Sequence, residues 1–271
     1  MPSPTKLPDQ RFRDLSAFGL GLMHRVARRL APTRIRPLHI TWLFLLDGLL
    51  AAWLIHRRQR RTDRLAALLL ILKHLLDGLD GALARQQRPS RMGRYFDSIA
   101  DFVVNVALFA AVAYRRGRRL RDWMLAAAAL LIQLLQGSLY NFYYVLYRHH
   151  YAGERTSLPD ERQARPYPWD PPRLTYLLQR LYLALYGWQD RFVARLDKWL
   201  AGTATPPLPS AAFMTALSTL GLGMQLALAA LLTFFGRPAW LPHVLLGPYL
   251  LWSGLLLGWR ALESRHFTKS D

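Results

Sequence analysis

The strongest constraint on this chain is a succession of apolar stretches, near residues 38–55, 65–79, 97–113, 123–147, 210–235 and 240–259, separated by arginine-rich connections. Crossing the hydrocarbon core of a bilayer takes ~20 mostly apolar helical residues, because a helix rises only ~1.5 Å per residue. Several of the stretches reach that span only with tilt or with support from neighbouring helices. The expectation is an all-α integral membrane protein with about six transmembrane helices. The mean hydropathy of +0.05 is low for such a protein, but residues 1–37 and 148–209 are polar enough to dilute the average. Residues 1–37 also carry charges throughout, so no cleavable signal peptide is expected and the first apolar helix should remain as an anchor.

Charge says which partners suit the chain. The formal net charge is +19, and 32 of the 36 basic residues are arginine. Base composition alone can produce an arginine excess, yet the charge flanks apolar helices and so favours an anionic lipid surface over nucleic acid. With six helices, one side of the membrane collects 24 Lys and Arg and the other 11. The excess assigns both termini and residues 80–96 to the cytoplasmic side of a cytoplasmic membrane, expected to be bacterial. The two short loops opposite, RRQRRTDR and RRGRRLRD, are themselves dense in arginine. With no cysteine in the chain, disulfides, thiol catalysis and thiolate metal sites are excluded.

Two polar regions flank or interrupt the apolar pattern. In residues 1–37, Phe12, Leu15, Leu22, Val26 and Leu30 fall at roughly helical spacing among Arg11, Arg25, Arg28 and Arg29. An amphipathic helix in the membrane interface fits this pattern, and so does a helix packed on another part of the protein. Residues 148–209 hold eight prolines, and the runs RPYPWDPP and TPPLP bracket a helical stretch near 173–200. This region is expected to be a connection with an embedded amphipathic helix inside one membrane domain, residues 38–260, followed by a tail at 261–271.

The chemistry concentrates in LLDGLDGALARQQRPSRMGRYFDSIAD, residues 75–101. At about 100° per residue, Asp77, Asp80, Gly81 and Ala84 share one helical face. On the next helix Asp97 and Asp101 are one turn apart, with Gly93 a turn earlier and Asn105 a turn later. Four converging carboxylates repel one another unless a cation sits between them, and hard oxygen ligands suit Mg²⁺, Mn²⁺ or Ca²⁺. Small residues on the same face leave room for a ligand, and Arg85 offers a fork for phosphate. Capping a helix end, or pairing with Arg88, Arg91 or Arg94, accounts for one aspartate more readily than for four.

This stretch resembles the signature of the CDP-alcohol phosphotransferases (CDP-alcohol phosphatidyltransferases), D-x2-D-G-x2-A-R, seven or eight residues, then G-x3-D-x3-D. Asp77, Asp80, Gly81, Ala84, Arg85, Gly93, Asp97 and Asp101 match all its fixed positions, a coincidence of roughly one in a million at ordinary residue frequencies. The resemblance implies an intramembrane enzyme, commonly a homodimer, that takes a CDP-linked donor, releases CMP and joins the substituted phosphate to an alcohol. It implies two divalent cations, Mg²⁺ or Mn²⁺, on Asp77, Asp80, Asp97 and Asp101. Gly81, Ala84, Arg85 and Gly93 would line the CDP pocket, and Asp101 would be the general base. CDP-diacylglycerol is the preferred donor and phospholipid biosynthesis the expected role; CDP-choline or CDP-ethanolamine with a lipid acceptor is the other possibility. Many members carry P-N-x-[LI]-T at the start of the first membrane helix, whereas this chain reads Pro37-Leu38-His39-Ile40-Thr41, with Leu38 at the Asn position.

Other polar residues read as structural. Asp47 and Lys73 lie equally far either side of Arg60, so a hairpin turning there predicts an ion pair between the first two membrane helices, although Lys73, one turn before Asp77, is also placed to influence a metal site. Gln133, Gln136, Gly137, Tyr140 and Tyr144 follow helical spacing and suit inter-helix hydrogen bonding better than a pocket wall. His24, His39, His74, His149 and His150 make no metal set. A prenyltransferase of the UbiA type would need a second aspartate cluster, which Asp160, Asp170, Asp190 and Asp197 do not form. A membrane scaffold or transporter leaves the ordered Asp, Gly and Arg positions unexplained.

Overall fold

The structure is a computed structural model that describes residues 12–152, 161–203 and 206–268. The described residues form helices and no strand. A short helix α1 (Leu20–Leu30) precedes four long ones, α2 (Pro37–His56), α3 (Arg60–Gln86), α4 (Arg91–Arg116) and α5 (Leu120–Ala152). The connection contributes α6 (Pro172–Tyr182) and α7 (Trp188–Ala201), joined by a π-helical turn at Leu183–Gly187. The C-terminal part holds α8 (Ala211–Leu217), α9 (Leu222–Phe234), α10 (Leu241–Val244) and α11 (Leu250–Thr268).

Local chemistry explains the ends that matter. Pro37 starts α2, where its missing N–H costs nothing, and the Arg36 amide donates to His39 Nδ1 at 3.1 Å. Between α2 and α3, and between α4 and α5, an arginine takes the left-handed backbone conformation, Arg58 at φ 58° and Arg118 at φ 63°. Both guanidinium groups lie over the Tyr114 ring, and Arg115 grips Asp63 through two nitrogens. The two arginine-dense loops are thereby fastened together at one end of the bundle.

Among the described residues, four helical segments are long and apolar enough to cross a membrane: Pro37–His56, Arg91–Arg116, Leu120–Tyr151 and Pro238–Ser264. A fifth is available if Ala211–Leu220 and Leu222–Phe234, bent by 43°, count as one broken span. Against the expectation of six, four or five helices of the described residues pass on length and apolarity. The helix that falls short is α3: at 27 residues it is about 40 Å long, but it carries Lys73, His74, Asp77 and Asp80 in its second half. Exposed Leu43, Leu46, Leu50 and Trp53 on α2, and Leu65, Leu68 and Leu72 on α3, give these helices an apolar outer surface.

The main apolar core joins α2, α3, α4, α5 and α9 through residues such as Ile55, Leu70, Phe109, Ala129 and Leu226. Toward the other end, Phe44, Leu45, Ala100 and Val104 pack α2 on α4. Helix α1 buries Met23 and Ala27 against Ile40, Leu79, Ala82 and Leu83, so it packs on α2 and α3. Of the two arrangements open to it from sequence, the packed one describes its inner face, while Leu22, Arg25, Arg28 and Arg29 remain exposed; Arg11 lies outside the described residues. The α6–α7 run buries polar residues beside Tyr182, Val193 and Leu200 and leaves apolar ones exposed. Thr175, Gln179, Gln189 and Asp197 are buried, whereas Leu177, Phe192 and Trp199 are exposed.

Candidate active site

The second half of α3 and the first half of α4, joined by the short connection at 87–90, both pack on α2 and face each other across a gap, with few close backbone contacts between them. The start of α4 is fixed by Ser90, whose hydroxyl accepts from the Gly93 amide at 2.9 Å. Along α3, Leu79, Ala82 and Leu83 are buried, while Asp77, Gly81, Ala84 and Arg85 are half-buried. Gly93, Asp97 and Asp101 on α4 are half-buried too. Seven of the eight motif positions are therefore half-buried and Asp80 is 6% exposed, so the facing halves of α3 and α4 leave a partly open cleft between them.

The structure brings the four aspartates together electrostatically: Asp77, Asp80 and Asp101 all act on Asp97. Each is held differently. Asp80 Oδ2 accepts from the Thr41 hydroxyl at 2.7 Å, so α2 orients the deepest acid. Asp101 Oδ1 is bonded to the ammonium of Lys73. Asp97 Oδ1 is buried with no hydrogen-bond partner. An orphaned carboxylate oxygen among three other acids suits a cation, and the all-oxygen donor set suits Mg²⁺ or Mn²⁺. Among the described residues no three His, Cys, Asp or Glu side chains already stand in metal-ligating positions. Near Gly81, a Cβ would come to 3.4 Å from Arg85 Nη1, so the guanidinium lies over the glycine.

The family model for CDP-alcohol phosphatidyltransferase matches residues 35–236, which takes in the cleft and every helix that builds it. The chain belongs to the CDP-alcohol phosphatidyltransferase family. The family's reaction is transfer of a phosphatidyl group from a CDP-alcohol to an acceptor. No individual curated protein matches the chain.

In this CDP-alcohol phosphatidyltransferase the ion pair expected between Asp47 and Lys73 is not the one formed. Lys73 pairs with Asp101, and Asp47 Oδ2 is buried without a partner. Equal depth in a hairpin does not fix which way two side chains point, and α4 presents Asp101 on the side Lys73 faces. The glutamines do act between helices: Gln133 donates to Asn105 at 2.8 Å and Gln136 to Ser253 at 3.0 Å. Tyr140 donates to Asp14 at 2.6 Å.

Sequence reasoning missed the part played by the long connection. Asp170 accepts from the Arg91 amide at 2.9 Å and from the Ser90 hydroxyl at 2.7 Å, capping α4 from outside. Glu161 receives Arg94 and the Tyr95 hydroxyl, and Gln179 ties the Glu161 carbonyl to α6 at 2.7 Å. Burial raises the nearby Asp190 to about 6 against the pull of Arg94, and Glu161 is the main acid opposing that arginine. Tyr186, on the π-helical turn, donates to the Ser98 carbonyl at 3.1 Å, next to Asp97. Acids in a proline-rich stretch gave no spacing signal that could have announced this. Asp197 is also engaged, with Arg260 at 2.8 Å, so Asp170 and Asp197 both have structural partners; Asp160 lies outside the described residues.

Proposed function

We propose that this chain is a membrane-embedded transferase of phospholipid biosynthesis that moves a phosphatidyl group from CDP-diacylglycerol to an alcohol and releases CMP. The observation that carries the reading is the convergence of Asp77, Asp80, Asp97 and Asp101 on one cleft around a buried, unsatisfied Asp97 oxygen. The four aspartates would hold two divalent cations, Mg²⁺ or Mn²⁺. Bound there, such a pair offsets the charge of a diphosphate and eases departure of the CMP oxygen.

Gly81, Ala84 and Gly93 keep the CDP side of the cleft free of bulk, and Arg85 presents two nitrogens to a phosphate. Asp80, oriented by Thr41, anchors the base of the cleft. Asp101 takes the proton of the acceptor hydroxyl as that oxygen bonds to the lipid-bearing phosphorus and the bond to CMP breaks. A lipid donor and a water-soluble acceptor meet only at a membrane surface. That requirement agrees with six crossings that include α3, and with the arginine excess on the cytoplasmic side, where the cleft and both termini would lie. In this layout residues 38–260 are the catalytic membrane domain, the exposed arginines of α1 lie at the interface, and two copies form a homodimer.

The test is metal-dependent CMP release by the purified protein from CDP-diacylglycerol, CDP-choline and CDP-ethanolamine across a panel of acceptors. Release from CDP-diacylglycerol is expected, with a fall of about 10²–10⁴-fold in Asp101→Asn. Absence of release from every donor, or full turnover in Asp101→Asn, would overturn the proposal.

A further inference from the structure

Lys73 is 1% exposed, one turn before Asp77 on α3, and its ammonium is bonded to Asp101 Oδ1. The nitrogen also stands 4.5 Å from the centroid of the Phe44 ring and lies in the fields of Asp77 and Asp97. A buried ammonium beside a phenyl ring is poorly solvated, and leaving it uncompensated in an apolar helix bundle is costly. Lys73 is therefore bound to keep its carboxylate when a ligand enters the cleft.

We infer that Lys73 is the positioning residue for Asp101. It retains Oδ1, so Asp101 offers only its other oxygen to a cation or to an acceptor hydroxyl, and the orientation of the base is set before substrate arrives. Its fixed positive charge, felt most by Asp101, would also weaken a cation held through Asp101 more than one held by the other acids. This inference rests on the reading of the four acids as a cation site.

The experiment is titration of the full-length protein in detergent with Mn²⁺ alone, followed by calorimetry and electron paramagnetic resonance, for the wild type, Lys73→Met, Lys73→Arg and Asp101→Asn. The wild type is expected to bind Mn²⁺ in two unequal steps. Removing a neighbouring unit charge in Lys73→Met tightens the weaker step about tenfold or more, Lys73→Arg leaves it near wild type, and Asp101→Asn weakens it. In turnover, Lys73→Met lowers kcat about tenfold with the donor KM within about twofold, as misorientation of the base demands. Should Lys73→Met fail to fold, Lys73→Gln, which is polar but uncharged, carries the same expectation. An unchanged weaker step in the uncharged variants overturns the role of Lys73. A wild type that binds no Mn²⁺ overturns the cation reading and this inference with it, a result separate from the first.

Discussion

Thr41 shows how a single residue outside the aspartate motif bears on it. Its hydroxyl lies 2.7 Å from Asp80 Oδ2 and is 39 positions away in sequence. Thr41→Val keeps the shape and removes the donor, leaving the most buried acid of the cleft without its orienting contact. Loss of such an outer contact weakens metal binding or activity about 10–100-fold. Mn²⁺ titration and CMP release should show a drop of that order, with no change in thermal stability beyond what one hydrogen bond explains, about 1 kcal/mol. The four aspartates were legible because their spacing is a helical face repeated on two adjacent helices. The Lys73 partner was not, because the hairpin argument compares depths along α2 and α3, whereas the partner is chosen by direction and comes from α4. Leu38 stands where many relatives have Asn, yet Thr41, at the end of the same segment, makes the contact that reaches the cleft.

At the scale of elements, the N-terminal segment is held by close approaches that only glycine permits. A Cβ on Gly223 of α9 would lie 2.0 Å from the Ser16 carbonyl oxygen and 2.6 Å from the His74 ring. His74 itself contacts the Phe18 carbonyl at 3.0 Å, so α9, α3 and the segment before α1 meet at one point. Gly223→Ala must push backbone aside, which costs about 1–3 kcal/mol. A lowered thermal midpoint in detergent, with looser protease protection of residues 12–30, is the expected result; an unchanged midpoint would show that the contact gives way freely. Helices α2, α4 and α5 were readable from apolar length. Helix α3 was placed correctly but carries too many charges to pass as a span by composition, since it combines a lipid-facing half with the acidic half of the cleft. The latch of Glu161 and Asp170 on α4 was invisible for the opposite reason. Its residues have ordinary polar surroundings in sequence and acquire meaning only when α6 lays them beside Ser90, Arg91 and Arg94.

For the whole molecule, orientation is the property that charge predicts and packing does not. Because the chain contains no cysteine, single cysteines report sidedness without a background. Gln59→Cys and Arg118→Cys, in the two arginine-dense loops, are expected to react with a membrane-impermeant maleimide added outside intact cells. His149→Cys, at the end of α5, should react only after the membrane is opened. The reverse pattern would place the aspartate cleft on the outer side and separate it from a cytoplasmic supply of CDP-linked donor. The count of crossings is tested by the same labels, since α3 must pass from one side to the other for Gln59 and the cleft to differ in access.

The buried amides have a consequence for how the chain is made. Asn105 and Gln133 can pair as soon as α4 and α5 have both left the ribosome, but Gln225 reaches the Gln133 carbonyl and Gln136 only when α9 arrives, and Gln136 finds Ser253 only with α11. Until then, Gln136 is an amide without its final partner inside the bilayer. A nascent chain stalled before Ser253 thus leaves that amide without its α11 partner, and α11 is the helix that closes the polar seam.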